Sequence, residues 1–383
     1  MENFILIVLI KTEGMKKMEL FRGTALYCGI GYGLKEMEDH LKMAASVGIN
    51  AVFTSIQLPE ANPEELRRDF PKMAEIAHKY GIKVFADLGP KTASQFGIDM
   101  FDLKAIKEFG IDVLRIDAGY TLEQKVQATK NDLDMVICLN PIRDATEENM
   151  QKMLELGINK DNVTFCYNYH PMKYSGMKFE KAKEKSDIIH KYGFRVAGFL
   201  SSNHHQRIGC SIGLPTLERH RGMGVFAQAQ EGLLAGYDDI FMGDDFASEE
   251  ELKTIVAAKR EHSRGPVNIR FKPYVKGEVI EWLNGRSLKL IQCGIDEIIR
   301  TAFWDKESIY PGGYEDGLPG KRSKGDVCMC KAALLRYAGE VQLVKMDLPE
   351  DKDIGIIGRI IDEDIPILDV YNDMSQFRLI VAE

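Results

Sequence analysis

The chain has little of what marks most specialised protein classes. Its only conspicuous N-terminal apolar run, Phe4 to Ile10 (FILIVLI), is far short of the roughly 20 residues that cross a bilayer. That run has no basic leader and no small-residue cleavage site, so a membrane anchor or export signal is not expected. No dense basic cluster occurs, and with 50 Lys+Arg against 58 Asp+Glu the net charge is −8, which argues against a nucleic-acid partner. The seven cysteines are scattered singly. Such usage excludes a disulfide scaffold and suits a reducing compartment, so the cytoplasm is the expected location. The one close pair, Cys328-Met329-Cys330, lacks partners at metal-ligand spacing and reads as alternating strand residues. Neither a metal nor a cofactor is expected. Gly29, Gly31 and Gly33 do not form G-x-G-x-x-G, so a dinucleotide fingerprint is also missing.

What is present is an ordinary globular composition, 45% apolar and 28% charged, over 383 residues, a length that predicts two domains. Residues 1–20 read as an N-terminal extension, because organised patterning begins only near Phe21. From there strands and helices alternate. Short apolar strands are predicted at 23–27, 51–55, 83–87, 113–117, 134–140, 163–168, 196–200 and 239–244, each followed by a helical stretch. Asn62-Pro63-Glu64-Glu65 is a helix start, and Thr121 with Gln124 and Ser248 with Glu251 are capping boxes. Eight such repeats in about 240 residues are the arithmetic of a (β/α)8 TIM barrel, an α/β fold. The predicted barrel domain spans 21–262. After the linker His262 to Pro266 the texture becomes β-rich. Strands are predicted at 279–283, 288–292, 326–330, 341–344, 354–361 and 377–381, in a compact domain over 266–383. Tyr310 to Lys324, rich in glycine, is a long loop and a candidate lid.

The segment Arg195 to Arg221 organises the functional reading. A strand empties into Ser201-Ser202-Asn203-His204-His205-Gln206-Arg207, a polar loop that runs to Gly213 and Pro215 before a helix that Thr216 is placed to cap. Connections this long are usually functional or disordered. The other predicted strands also stop at polar residues: Tyr27, Ser55, Asp87, Asp117, Asn140, Asn168 and Asp244. In a parallel barrel the C-terminal strand ends converge on one mouth, so these groups should form a ring. No lysine stands at a strand end, which leaves Schiff-base chemistry without its nucleophile. His170, His204 and His205 lie on neighbouring loops without metal-ligand spacing. Carboxylates are better supplied. Asp87 and Asp117 end adjacent strands, about 4.8 Å apart at the backbone. Their carboxyls fall near the roughly 5–9.5 Å separation that glycosidases use. Asp117 shares a strand face with Arg115, whose charge favours an ionised partner; Glu60 and Asp244 are further catalytic candidates.

The segments FTSIQLPE (53–60), ADLGP (86–90), LRIDAGY (114–120), CYNYHPMKYSGM (166–177), SSNHHQRIGCSIGLPTLERHR (201–221) and RYAGEVQL (336–343) resemble a bacterial family related to 6-phospho-N-acetylmuramidases. The likeness runs over nearly the whole chain from residue 21, and Gly213 to Arg221 is its most specific part. It implies a TIM barrel followed by a cyclophilin-like β-barrel domain. It also implies a cytoplasmic hydrolase that splits N-acetylmuramic acid 6-phosphate from N-acetylglucosamine, a disaccharide of cell-wall sugar recycling. Under that resemblance His204, His205 and Arg207 would hold the phosphate, with Lys173 or Arg300 contributing. Tyr27, Ser55, Asn140, Asn168, Tyr169, His170, Ser202, Asn203 and Glu218 would read the sugar. The partner is a small phosphosugar, and the resemblance leaves a homodimer open. The chain departs from the family pattern where substrate would be read. Ile212 stands in place of a glutamate before GLPTLE. His170-Pro171-Met172 lacks an arginine, Asn140-Pro141-Ile142 replaces Asn-Ala-Ser, and Thr301-Ala302-Phe303-Trp304 replaces a Ser-Arg-rich segment. Two readings follow: a glycoside hydrolase, or a phosphosugar-binding or regulatory protein that has lost turnover.

Overall fold

In a computed structural model the chain is described over residues 19–116, 119–207, 212–259, 265–292 and 294–382. The expected extension (1–20) lies almost wholly outside these residues, as do Asp117 and most of the expected linker.

Eight strands form a closed parallel barrel in sequence order: β1 (Arg22–Ala25), β2 (Ala51–Ser55), β3 (Lys83–Asp87), β4 (Val113–Ile116), β5 (Val136–Leu139), β6 (Val163–Cys166), β7 (Val196–Leu200) and β8 (Asp239–Asp245). Nearly every strand residue is buried, because helices cover the outside and side chains fill the inside. The interior is largely aromatic. Phe53 meets Phe199 at 4.9 Å between ring centroids, and Phe85 meets Phe241 at 5.2 Å, both edge to face. Val113, Val136, Cys138, Cys166 and Ala197 complete that layer. Gly23 is obligatory here, since a methyl group in its place would lie 2.0 Å from the Phe241 ring.

Helix α1 (Leu34–Ser46) follows the first strand, and α2 (Pro63–Lys79) begins as predicted: the Asn62 side chain accepts from the Glu64 and Glu65 amides. Both predicted capping boxes form. Thr216 does not cap a helix. Its hydroxyl donates to the Asn168 carbonyl and accepts from the Phe199 amide, tying β6 to β7, and the next α-helix starts only at Val225.

Seven further strands close a second barrel: β9 (Val267–Pro273), β10 (Ser287–Ile291), β11 (Ile298–Thr301), β12 (Asp326–Cys330), β13 (Val341–Val344), β14 (Ile354–Ile360) and β15 (Gln376–Val381). Their pairing is antiparallel except for β15 on β9. The strand predicted at 279–283 is a short helix, Glu278–Leu283, whereas β9 and β11 were not predicted. Residues 310–324 do not hang free as a lid. Leu318 and Ile356 exchange backbone hydrogen bonds of 2.8 and 2.9 Å, and Arg322 pairs likewise with Leu348.

The two barrels meet along the helix Val225–Leu234, which is buried almost all round as a helix packed between two bodies must be. Arg219, on the long connection after β7, donates to the Pro366 carbonyl at 2.7 Å and pairs with Asp369 of the second barrel. Its guanidinium also pairs with the fully buried Glu231 at 3.1 Å.

Candidate active site

At the C-terminal ends of the parallel strands lies a cavity of about 170 Å³, lined by Phe53, Asp87, Arg115, Tyr167, Asn168, Tyr169 and Phe199. Its floor is the aromatic layer of the barrel and its wall is polar. Ser55, Asp87 and Arg115 occupy successive register positions on β2, β3 and β4, so their backbones are neighbours across the sheet. Arg115 donates to the Asn168 side-chain oxygen, which also receives the Asn140 amide at 3.4 Å. Asn140 doubles as the cap of the short helix Pro141–Asp144. Side chains from three strand ends are thereby linked into one network facing the cavity.

Behind Tyr169, which lines the cavity, stands Arg207. Its guanidinium is buried, pairs with Glu60 at 2.7 Å, donates to the Tyr169 hydroxyl at 3.4 Å, and lies over the Tyr27 ring at 4.9 Å. A guanidinium is more weakly hydrated than an ammonium, so burying it costs less, and the rings of Tyr27 and Tyr169 fix its orientation. Burial pushes the Tyr169 hydroxyl up to about 12, helped by the charge of Asp87 and opposed by Arg207, so at neutral pH it carries its proton. Burial likewise raises Tyr27, whose hydroxyl donates to the Gly243 carbonyl at 2.6 Å.

The polar loop after β7 is held by two carboxylates. Asp244 accepts from the backbone amides of Ser202, Leu214 and Arg207 at 3.0 to 3.1 Å. Burial raises its proton affinity, and these three donors oppose the rise. Its oxygens hold the loop in place. Glu251 receives the Ser202 hydroxyl and the amides of Asn203, His204 and Ser248. The Asn203 side chain turns to the Met223 carbonyl at 3.0 Å, and His204 is exposed. His205 pairs with Asp245 at 3.0 Å and approaches the Tyr32 hydroxyl at 3.4 Å. Burial pushes Asp245 up to about 6, against the pull of His205.

The connection after β6 is clamped by Glu218 and Arg221. Glu218 accepts from the amides of Tyr174 and Gly176, while Arg221 donates to the carbonyls of His170, Met172 and Gly213. Burial works against ionisation of Glu218, but Arg221 and the two amides outweigh it and hold the carboxyl down at about 2. Glu218 therefore shapes the rim that carries Asn168, Tyr169 and His170. The His170 ring is held below its usual range by burial and by Arg221. Lys173 is exposed on this same connection. Arg300 stands apart on β11 of the second barrel, in a two-pronged pair with the buried Glu340 at 2.7 Å.

Arg115, Asp245, Phe53 and Phe199 belong to the mouth and were not among the expected site residues. Strand parity carried the signal: Val113 and Arg115 share a face, as do Phe241, Gly243 and Asp245. Among the described residues no group of three or more His, Cys, Asp or Glu side chains is arranged to hold a metal, and no helix is long and apolar enough to cross a membrane.

The chain matches the family model for the 6-phospho-N-acetylmuramidase N-terminal domain over residues 22–257 and that for the C-terminal domain over 314–380. It is similar in structure to an uncharacterized B. cereus protein at 24% identity and a TM-score of 0.73, over 95% of this chain and 100% of that one. A conserved Enterococcus faecalis protein of unknown function aligns at 24% identity and a TM-score of 0.65, over 94% and 96%. These two likenesses speak to the fold. No curated protein matches the chain.

Proposed function

Since the chain belongs to the 6-phospho-N-acetylmuramidase family, we propose that the mouth of its parallel barrel hydrolyses a 6-phosphorylated amino-sugar disaccharide of the N-acetylmuramic acid 6-phosphate–N-acetylglucosamine type. The observation that carries this reading is Asp87, a carboxylate on the wall of a cavity otherwise made of aromatic rings, an arginine and an amide. Aromatic faces suit the apolar faces of a sugar ring, and the Arg115–Asn168–Asn140 network suits its hydroxyl and acetamido groups. The phosphate is assigned to the side of Arg207, His204 and His205, where a dianion would meet the loop after β7.

In the proposed reaction the bond between the anomeric carbon and the bridging oxygen breaks. The bridging oxygen takes a proton from one carboxylic acid, and the anomeric carbon takes the oxygen of water, whose proton passes to the second carboxylate. Asp87 is assigned one of these roles. Asp117, two residues beyond Arg115 in the sequence, is assigned the other, with Glu60 on the neighbouring loop as its substitute. Tyr169, protonated at neutral pH, is a donor to the sugar rather than a base. Such an enzyme belongs in the cytoplasm and in cell-wall sugar recycling.

One feature favours a second reading, a phosphosugar binder without turnover: the apolar Ile212 where the family pattern carries a glutamate. One experiment separates them. Purified protein is incubated with the 6-phosphorylated disaccharide and with its unphosphorylated form. Release of N-acetylglucosamine from the phosphorylated form alone is the expected result. Thermal stabilisation by that ligand without product would support the binder, and neither effect would sink both.

A further inference from the structure

The single-turn helix Pro141–Asp144 follows β5 directly, and its cap, Asn140, stands at the mouth. One hydrogen-bonded turn does not hold itself in water, so side chains must fix it. Three do. The Asp144 carboxylate turns back to accept the Asn140 backbone amide at 3.1 Å, while the Asp144 amide donates to the Asn140 carbonyl at 2.8 Å. The other Asp144 oxygen meets the Lys125 ammonium at 2.6 Å. Lys185, from the helix Phe179–Lys191, donates to the Ala145 carbonyl at 2.7 Å just beyond. Lys125, Asp144 and Lys185 are all buried, and Lys125 comes from the helix Leu122–Thr129 that precedes β5. A buried ion pair seldom stabilises a fold more than apolar side chains of the same volume would. Stability alone is therefore a poor account of the Lys125–Asp144 pair.

Its place beside the mouth supplies a better one. The Ile142 amide can only donate, so the Asn140 atom it meets at 2.9 Å is the side-chain oxygen, and the Asn140 nitrogen is the one turned to Asn168. The Arg115 guanidinium also can only donate, so the Asn168 atom it meets is again an oxygen. That oxygen receives Arg115 and Asn140 on its two lone pairs. Asn168 is exposed on the cavity wall, and the group it has left to offer is its N–H. We infer that Lys125 and Asp144 are positioning residues for the mouth. They hold Asn140 in the orientation that makes Asn168 a donor, and so select a ligand with an oxygen acceptor at that point; this rests on the glycosidase reading above for the identity of the ligand. Neither residue lines the cavity.

Asp144→Asn and Lys125→Met should each lower kcat/KM for the phosphorylated disaccharide about 10- to 100-fold, the scale of a misplaced binding group. In an Asn168→Ala background, itself impaired, each should cost less than about threefold more, while the fall in urea midpoint persists in both backgrounds. A full further loss on top of Asn168→Ala would mean that the pair acts on the fold and not through Asn168, and would overturn the inference. So would an unchanged kcat/KM in either single variant. A second measurement needs no turnover: NMR of the side-chain amides in protein carrying isotope-labelled asparagine, with the Asn168 signals identified by their loss in Asn168→Ala. Asp144→Asn should move or broaden those signals and leave Asn50, at the opposite end of the barrel, in place. If the wild type hydrolyses nothing yet the Asn168 signals respond, the hydrolase reading falls and the positioning role stands. Signals that stay where they were remove that role, whatever the turnover.

Discussion

The two barrels are built from similar numbers of strands but spend their charged residues differently. In the parallel barrel, polar side chains gather at one end and face a cavity, with Asp87 and Arg115 on its wall. In the second barrel the strongest charged pairs are closed on themselves: Arg300 with Glu340, and Arg270 with Asp364, each two-pronged at 2.7 to 3.0 Å. A parallel barrel must present all its C-terminal strand ends on one side, whereas an antiparallel one distributes them between two. Chemistry therefore concentrates in the first body and cohesion in the second. Each of the following substitutions is aimed at that division.

The largest effect is expected from Asp87→Asn. Loss of a positioned acid or base costs about 10²- to 10⁴-fold in kcat, while the urea midpoint should stay close to wild type. A variant with full turnover would return the mouth to a binding role. Glu340→Ala should do the reverse. It strands Arg300 beside a buried gap and should cost about 3 kcal/mol of stability by urea unfolding, with kcat of the surviving folded enzyme little changed. Glu251→Ala tests whether the loop after β7 is a scaffold for the site. It leaves the Ser202 hydroxyl and the amides of Asn203 and Ser248 short of an acceptor and should cost about 2 kcal/mol, with KM rising as His204 and His205 lose their anchor.

The contact between the barrels has its own signature. Burial pushes Glu231 up to about 7 from an ordinary 4.5, against Arg219. A carboxyl raised in the folded state binds more protons there than in the unfolded chain between those two values. Stability should therefore fall as pH rises from about 4.5 through 7. Glu231→Gln should flatten that slope, by about 2 kcal/mol between pH 5 and 8 in urea midpoints converted to free energy. The groups facing Glu231 are Arg219 and His220, with the charges of Asp369 and Glu180 beyond them; burial and Arg219 hold His220 near 3, so its imidazole does not titrate in this window. The smallest effect belongs to Asn62→Ala, which removes the cap of α2 and should cost about 1 kcal/mol.

The parallel barrel was legible because each of its strands is buried on both faces and bounded by helix signals. Runs such as Ala51–Ser55, Lys83–Asp87 and Val196–Leu200 admit few other readings. In the second barrel the alternation is interrupted. Val279 to Leu283 is apolar enough for a strand, yet Gly277 opens a single helical turn and a half there, a choice made by packing and not by propensity. The strand β9 was obscured by its charged Arg270 and Lys272, which alternate with buried Val267, Ile269 and Phe271. At the site, residue type and strand end were readable, but side-chain direction was not. Asp244 and Asp245 are neighbours in sequence, and alternation puts them on opposite faces, but only the folded loops show that Asp244 meets three backbone amides and Asp245 meets His205. The division of Glu218 and Arg221 from the sugar-reading groups was equally hidden, because the rim atoms they hold, the Tyr174 amide and the His170 carbonyl, are backbone atoms more than 40 residues away.

The stretch Glu218 to Arg221 also looks two ways. Its outer members grip the rim connection beside Tyr169, and its inner members reach Glu231 and the Pro366 carbonyl of the adjoining body. Torque applied to the distal barrel is thus transmitted, through one short rod of four residues, to the lip over which a sugar must pass. Severing the chain between the barrels should therefore slacken amide exchange protection around Gly176, far from the cut, before it loosens any strand.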